Sequence, residues 1–325
     1  MDEHLFQSRI DLTALNESVK KIREEIGKVI VGQENMINLL ITAILADGHV
    51  LIEGVPGVAK TLTAKLISRV IDVKFTRIQF TPDLMPSDVV GTSVFNVKNS
   101  EFEFRSGPVF SNIVLIDEIN RAPAKTQAAL FEVMEERQVT VDGNTYRLDQ
   151  PYMVVATQNP IEHEGTYRLP EAQLDRFLFK ILVDYPTSEQ EFAIIRGHHE
   201  RKGHAPVDEV QKVLSSQQID DYRTAVQQVH VEVHLMKYVA GIVHETRNNP
   251  SLFLGASPRA SVALLNSSKA FAAIQGRDFI TPEDIKFTAF PVLRHRIILT
   301  PDKEMEGVTP DEVIEQIVNK IEVPR

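Results

Sequence analysis

A glycine-rich loop that ends in lysine and threonine is the stretch of this sequence best suited to chemistry. It follows an apolar run that begins at Leu51, and it closes with Lys60 and Thr61. Glycines let backbone N–H groups approach a phosphate, lysine brings positive charge to the β- and γ-phosphate oxygens, and a threonine hydroxyl can bind Mg²⁺. The pattern predicts a Walker A loop that holds nucleotide phosphates. The residues expected to bind the nucleotide are Gly54, Val55, Pro56, Gly57, Val58, Ala59, Lys60, Thr61 and Leu62.

One position departs from the common form of this loop. The residue before the lysine is usually glycine, and here it is Ala59. Gly54 and Gly57 remain, so the backbone can still curve round a phosphate. Residues 62–70 are expected to form a helix, which would place the phosphates at a positive helix N-terminus. A Gly/Pro turn between a strand and a helix, with no ligand, is the alternative.

Two adjacent carboxylates, Asp117 and Glu118, follow a predicted strand at residues 112–116, the last four of which are apolar. Such a run predicts a buried parallel strand, which delivers the residues after it to the ligand-binding edge of an open sheet. We expect Asp117 and Thr61 to bind Mg²⁺, partly through water, and Glu118 to polarise the attacking water as a general base. A strand exit capped by the next helix is the alternative for this pair.

Asn159 follows another apolar run, at residues 152–157. An amide at the carboxyl end of that strand would face a γ-phosphate and could orient water, so Asn159 joins Lys60 and Glu118 as a catalytic candidate. A turn formed by Asn159 and Pro160 is the alternative.

Composition and charge narrow the class of protein. With 325 residues, 43% of them hydrophobic, the chain can form two domains with a large core. The formal net charge of −10 disfavours tight, sequence-independent binding of nucleic acid, and the lack of cysteine excludes disulfides and thiolate metal sites. No apolar run reaches the roughly 18 residues of a membrane span, and the first residues are acidic, so the expected location is the cytoplasm.

Five predicted strands alternate with helical stretches, and this order would position the loop and the carboxylates. Strand–helix–strand units imply a parallel sheet with right-handed crossovers. The predicted fold class is α/β, a P-loop NTPase sheet of five parallel strands with flanking helices. The strands are expected at residues 50–53, 75–80, 112–116, 152–157 and 178–183, after helices at 12–26 and 34–46. Alternating runs at 92–105 and 138–148 predict two inserted β-hairpins, the first within the helix after the second strand.

A proline-containing turn at residues 185–187 predicts a domain boundary. We expect an αβα core at residues 1–186 and a lid at residues 187–325, with about five helices and no strand. The basic run at residues 294–296 is expected on the surface of the lid. His230 and His234 lack an evident third ligand, so no metal site is expected there.

The order of these motifs resembles that of one family. The segments GVPGVAKT, VLIDEINRAP, ATQNP and LPEAQLDRF look like the MoxR family of AAA+ ATPases. The two hairpins resemble the helix-2-insert clade, to which magnesium-chelatase ATPase subunits and MCM helicases also belong. The resemblance covers essentially the whole chain. It implies an AAA+ core at residues 1–186, an all-α lid, and hydrolysis of ATP with Mg²⁺.

The resemblance also implies contacts with the adenine. In AAA+ ATPases a Val-Gly-Gln segment lies beside this base. The matching residues here are Val31, Gly32 and Gln33. A helix N-terminal turn that needs Gly32 for backbone freedom is the alternative.

Two arginines take roles by the same resemblance. Arg176 matches a finger that enters the ATP site of the neighbouring subunit, where a cation can neutralise charge on the γ-phosphate. A structural ion pair with Asp175 or Glu171 is the alternative. Arg259, in the first turn of a lid helix, resembles sensor 2, which reaches from the lid to the nucleotide; an exposed arginine is the alternative. Arg121 and Arg168 are the second choices for the finger.

The function implied is a ring-forming, ATP-hydrolysing remodeller or assembly factor for protein partners. A hexameric ring is expected, and proteins with a von Willebrand factor A domain are candidate clients. A nucleic-acid motor of MCM type is the alternative, in which the hairpin at residues 139–148 would track the nucleic-acid strand. The acidic net charge of the chain disfavours it, as does a hairpin that has Asp142 at its tip and only Arg147 as a cation. An ATP-bound interaction module with little turnover is a third reading, which the set of Lys60, Asp117, Glu118, Asn159 and Arg176 disfavours.

Overall fold

A computed structural model describes residues 10–160, 167 and 169–323 of the chain. The helices are α1 (Thr13–Gly27), α2 (Glu34–Leu45), α3 (Lys60–Ile71), α4 (Pro86–Val90), α5 (Ala124–Glu136), α6 (Glu171–Leu174), α7 (Ser188–Glu200), α8 (Ser216–Gln227), α9 (Val233–Asn248), α10 (Pro258–Ile274), α11 (Pro282–Leu293), α12 (Pro301–Met305) and α13 (Pro310–Lys320). The strands are β1 (His49–Gly54), β2 (Phe75–Gln79), β3 (Gly91–Asn96), β4 (Glu101–Ser106), β5 (Ile113–Asp117), β6 (Gln138–Val141), β7 (Asn144–Arg147), β8 (Met153–Gln158), β9 (Phe177–Val183), β10 (Leu252–Leu254) and β11 (Ile298–Leu299).

The central sheet confirms the predicted fold class. Within the described residues it has the strand order β2-β5-β8-β1-β9, and each neighbouring pair is parallel. Strand β5 is buried along its whole length, because helices cover both faces of the sheet. Burial of each Val, Leu or Ile side chain on it stabilises the fold by about 1.5–3 kcal/mol. The carboxyl ends of β1, β5 and β8 therefore meet at one edge.

Strand β9 runs parallel to β1 at the side of the sheet. His49 pairs with Phe177 and Gly54 pairs with Val183, so the two strands begin at one edge of the sheet and end at the other. A strand of this length spans roughly 17 Å. Residues just before β9 therefore lie about one strand length from residues just after β1.

Both predicted hairpins are present, as β3–β4 and β6–β7. The first follows the five-residue helix α4 directly. The helix does not resume in residues 107–112, all of which are described; the chain passes by a turn into β5. The hairpins contact one another, since the ring of Phe104 stacks on that of Tyr146 with 4.1 Å between centroids.

The lid is mainly helical, but the expectation of no strand is corrected by the antiparallel pair β10–β11. Its described residues form seven α-helices, α7 to α13, instead of about five. One apolar cluster runs without a break from the sheet through α1 and α2 into these helices. The boundary between residues 186 and 187 stays a prediction.

The expectation that residues 294–296 lie on the lid surface is wrong. His295 and Arg296 are 6% and 8% exposed. Their side chains bond to the start of β9: Nε2 of His295 lies 2.9 Å from the carbonyl oxygen of Phe177, and Nη1 of Arg296 donates to the carbonyl of Leu178 at 3.1 Å. Because β9 is an edge strand, its outer polar groups need partners, and this basic segment supplies them.

Among the described residues, no helix is both long enough and apolar enough to span a membrane.

Candidate functional site

The phosphate-binding loop connects the end of β1 to the start of α3. Gly57 has φ 89° and Ala59 has φ 60°, so both residues adopt left-handed backbone conformations. Ala59 thus takes a conformation that glycine adopts at lower cost, which explains why glycine is common before the lysine. The loop meets the N-terminus of a twelve-residue helix, where backbone N–H groups and the helix dipole favour an anion.

Lys60 is held beside this loop. Its Nζ donates to the carbonyl oxygen of Gly54, the last residue of β1. Burial lowers the pKa of the Lys60 ammonium, and the nearby carboxylates of Asp117, Glu118 and Glu53 oppose that shift. A phosphate at the loop would bring further negative charge close to this partly buried ammonium group and would stabilise its charged form. The predicted role of Lys60 suits this environment.

Thr61 and Asp117 are brought together from α3 and β5, as an Mg²⁺ site requires. The hydroxyl Oγ1 of Thr61 lies 3.3 and 3.4 Å from the two carboxylate oxygens of Asp117. Thr157 of β8 donates to Oδ1 of Asp117 at 3.0 Å and orients the carboxylate. A hydroxyl beside a carboxylate is a set of hard oxygen donors, which fits Mg²⁺.

Glu118 takes a left-handed conformation with φ 58° directly after β5. Its backbone N–H donates to Oγ1 of Thr157 at 3.1 Å. Its Oε2 accepts a hydrogen bond from Nε2 of Gln79 at 2.6 Å and lies 3.1 Å from Nε of Arg121. An uncommon conformation held by several contacts is typical of functional positions. Arg121 therefore lies beside Glu118, at the sheet edge where β1, β5 and β8 of its own chain end.

Two side chains at this edge were missed by the sequence analysis. Gln79 is the last residue of β2 and pairs in register with Asp117. Arg77, two residues earlier on the same face, places Nε 2.5 Å from Oδ2 of Asp117. The sequence indicated these two residues only weakly. A polar residue near the end of a strand can be assigned to a site only when the neighbouring strand and its register are known. Asn159 lies one residue beyond β8, at the same edge, and is 9% exposed.

Val31, Gly32 and Gln33 line a cavity of about 560 Å³, a size usual for small-ligand sites. Arg23 of α1 and Gln275, at the end of α10, also line it, so the cavity lies between the N-terminal helices and the lid. The backbone of Gly32 has φ 76°, which favours glycine. This placement is compatible with an adenine pocket, and the assignment stays a prediction.

Arg176 and Arg259 are not brought to the phosphate-binding loop of their own chain. Arg176 immediately precedes β9, at the sheet edge opposite to the end of β1. Arg259 lies with Arg176, because both bind the carboxylate of Glu135. Met134, the residue before Glu135, accepts a hydrogen bond from His49 at the start of β1, which fixes this end of α5 at the same far edge.

Arg176 forms an ion pair, but with a different carboxylate from the expected Asp175 or Glu171. Its Nε lies 3.3 Å from Oε2 of Glu135, a residue the sequence analysis did not single out. Asp175 instead binds the lid, with Arg296 at 2.6 Å and the hydroxyl of Ser257 at 3.0 Å. Arg168 lies outside the described residues.

Comparisons with known proteins agree with this architecture. Residues 49–179 match the family described as ATPase family associated with various cellular activities (AAA), and residues 244–317 match the AAA lid domain. The chain is 45% identical to YeaC of Bacillus subtilis over 94% of both chains. It is 43% identical to Chaperone MoxR1 of Mycobacterium tuberculosis, over 93% of this chain and 81% of that one.

A solved structure gives the same result. The crystal structure of a candidate ATPase from Cytophaga hutchinsonii superposes with a TM-score of 0.89, at 43% identity, over 96% of this chain and 97% of the other. Protein MoxR of Methylorubrum extorquens is 30% identical over 92% of this chain and 94% of its own. The chain belongs to the MoxR family of AAA+ ATPases.

Proposed function

We propose that this chain hydrolyses ATP at sites shared between neighbouring copies, and that a ring of such copies remodels protein partners. The observation that carries the proposal is the position of Arg176. This arginine lies roughly one strand length, about 17 Å, from the loop that holds Lys60. An arginine side chain is too short to cross that distance, so Arg176 can meet a γ-phosphate only in another copy.

Each functional group at the sheet edge where β1, β5 and β8 end has a role in this reaction. Lys60 and the loop N–H groups bind the phosphates, and Thr61 and Asp117 would hold Mg²⁺. That ion, when bound, withdraws charge from the phosphate oxygens. Glu118 accepts a proton from the attacking water at a carboxylate oxygen, with Gln79 orienting that carboxylate.

The remaining groups act on the transferring phosphoryl group. Asn159 orients the water from its place beyond β8. Arg176 of the neighbouring copy neutralises the charge that develops on the γ-phosphate as this group separates from ADP. Arg259 of that copy enters the site together with Arg176. The products are ADP and inorganic phosphate.

The hairpin β3–β4 favours a protein client over nucleic acid. Its exposed side chains include Phe95, Val97 and Phe102, which are 49%, 79% and 74% exposed. Glu101 and Glu103 balance Lys98 and Arg105 on the same hairpin, so the hairpin has no net positive charge to attract phosphates. An exposed apolar patch without net positive charge suits contact with a polypeptide. Partners with a von Willebrand factor A domain remain candidates by family resemblance alone.

Mixing two inactive variants tests the shared site. Glu118→Gln removes the proposed base, and Arg176→Ala removes the proposed finger. In mixed assemblies some interfaces pair an intact Glu118 with an intact Arg176, so phosphate release should partly return. If subunits exchange, as shown by size measurement on tagged copies, and activity stays absent, Arg176 does not act between copies. Full activity of a species that stays monomeric with ATP would also refute the proposal.

A further inference from the structure

We propose that Glu135 is a positioning residue that holds Arg176 and Arg259 together as one unit for the neighbouring copy's nucleotide. The inference rests on the proposed function, since it concerns the arginine half of the shared site. It adds a residue that neither the sequence motifs nor the family resemblance identifies.

The geometry places one carboxylate between two guanidinium groups. Oε1 of Glu135 lies 2.8 Å from Nη2 of Arg259, and Oε2 lies 3.3 Å from Nε of Arg176. The three residues come from three elements: α5, the segment before β9, and α10 of the lid. Glu135 therefore fixes the relative position of two arginines that no short stretch of backbone connects.

The charges explain why an anion is needed here. Two guanidinium groups on one carboxylate carry a net charge of about +1, and without the carboxylate they would repel one another. Glu135 contacts Arg176 through Nε, the inner nitrogen, and not through the terminal nitrogens. Of these, Nη1 donates only a long hydrogen bond, at 3.4 Å, to the carbonyl oxygen of Ala172, which a phosphate can replace. The cluster keeps its positive charge while the directions of its side chains become restricted.

Helix α5 supplies a second support for the same arginine. Phe131 lies one turn before Glu135, and the guanidinium carbon of Arg176 lies 5.9 Å from the centroid of its ring. Arg176 is thus held by a ring and a carboxylate on one face of a helix, while its side chain keeps 27% exposure. Arg176 and Arg259 both line a surface depression of about 490 Å³, which gives the nucleotide-bearing edge of another copy access to them.

The test uses Glu135→Gln, which keeps the size of the side chain and removes its charge, with Glu132→Gln as the matched control. Glu132 is an exposed glutamate one turn earlier on the same helix. Misplacement of a catalytic group by about 1 Å can reduce turnover by roughly 100-fold. We expect Glu135→Gln to lower kcat by about 10- to 100-fold. The affinity for MgATP, measured by fluorescence titration, should change by less than about 2-fold, because the variant keeps its own loop.

Mixing experiments locate the defect on the arginine side. Glu135→Gln mixed with Glu118→Gln should regain activity, because the second protein supplies an intact arginine cluster. Glu135→Gln mixed with Arg176→Ala should not, because both lack that cluster. Glu135→Asp keeps the charge on a shorter side chain, so its kcat should lie between those of wild type and Glu135→Gln; it also serves if Glu135→Gln does not fold.

The possible failures are distinguishable. If Glu118→Gln and Arg176→Ala do not complement each other, the shared site itself is refuted. If they do, and Glu135→Gln behaves like Glu132→Gln, only the positioning role is refuted. A higher kcat in Glu135→Gln would also overturn the inference, since it would mean that Glu135 restrains the arginines.

Discussion

His49 should make the stability of the protein depend on pH in the weakly acidic range. This histidine is fully enclosed at the start of β1. Its Nδ1 accepts a hydrogen bond from the backbone N–H of Val154 at 3.0 Å, and its Nε2 lies 3.1 Å from the carbonyl oxygen of Met134. This pairing requires the neutral ring with the proton on Nε2. Burial, followed by repulsion from Arg137, lowers the pKa of His49 from its ordinary 6.5 to about 3.

The sign and size of the effect follow from this shift. The folded state keeps the ring neutral, while the unfolded state binds a proton below pH 6.5, so the contribution is fully present above that pH and is lost as the pH falls toward 3. Each pH unit below 6.5 costs about 1.4 kcal/mol. Between pH 7.5 and pH 5, His49 should therefore remove about 2 kcal/mol from the free energy of unfolding.

Urea unfolding of wild type and His49→Gln at both pH values measures this contribution. The variant has no titrating ring at this position. The free energy of unfolding of His49→Gln minus that of wild type should therefore be about 2 kcal/mol more positive at pH 5 than at pH 7.5. His49→Gln will also lose hydrogen bonds, but that loss is common to both pH values and cancels in the comparison. His199→Gln, which removes an exposed histidine of α7, is the control. A difference between wild type and His49→Gln that stays constant from pH 7.5 to pH 5 would refute the reasoning.

Three further outcomes are expected. Lys60→Ala should weaken nucleotide binding in a titration, whereas Glu118→Gln should bind MgATP and release phosphate at least about 100-fold more slowly; equal phosphate release by wild type and Glu118→Gln would exclude the assigned base. Gly57→Ala should lower the free energy of unfolding by about 1 kcal/mol, because alanine is strained at φ 89°, while Ala59→Gly should be tolerated; the reverse order in urea titrations would contradict this account. Arg296→Ala should destabilise by about 3–5 kcal/mol in the same assay, because it removes the buried cation that pairs with Asp175 and the donor to the carbonyl of Leu178 at the core–lid contact; a loss below about 1 kcal/mol would show that water replaces the guanidinium.

The sheet and the phosphate side of the site could be predicted from sequence because their signals are local. Parallel strands buried on both faces give continuous apolar runs, and the loop and the Asp117–Glu118 pair follow such runs directly. Their convergence needs only the rule that parallel strands end at one edge of the sheet.

Other features depended on contacts between residues far apart in the chain. The charge of Arg296 indicated a surface position, because charged side chains are rarely buried without a partner. Its partner, Asp175, is 121 residues away in the chain, so the sequence did not show that Arg296 could be buried. Glu135 and Arg259 are 124 residues apart, and Gln79 and Glu118 are 39 apart. Strands β10 and β11 have three and two residues, which is too short to show an alternating pattern.

The proposed shared site has two halves, the phosphate-binding loop and the arginine cluster, and they lie at opposite edges of the sheet. This placement also determines how copies can associate. If the end of β1 in one copy meets the start of β9 in the next, the contact joins two different surfaces, and the association is head-to-tail instead of two-fold symmetric. A head-to-tail dimer completes one site and leaves one idle half-site at each end. Each added copy completes one more site, but an open chain always keeps two unused halves, and only closure removes them. Phosphate release per subunit should therefore rise with assembly size and reach its maximum when the ring closes.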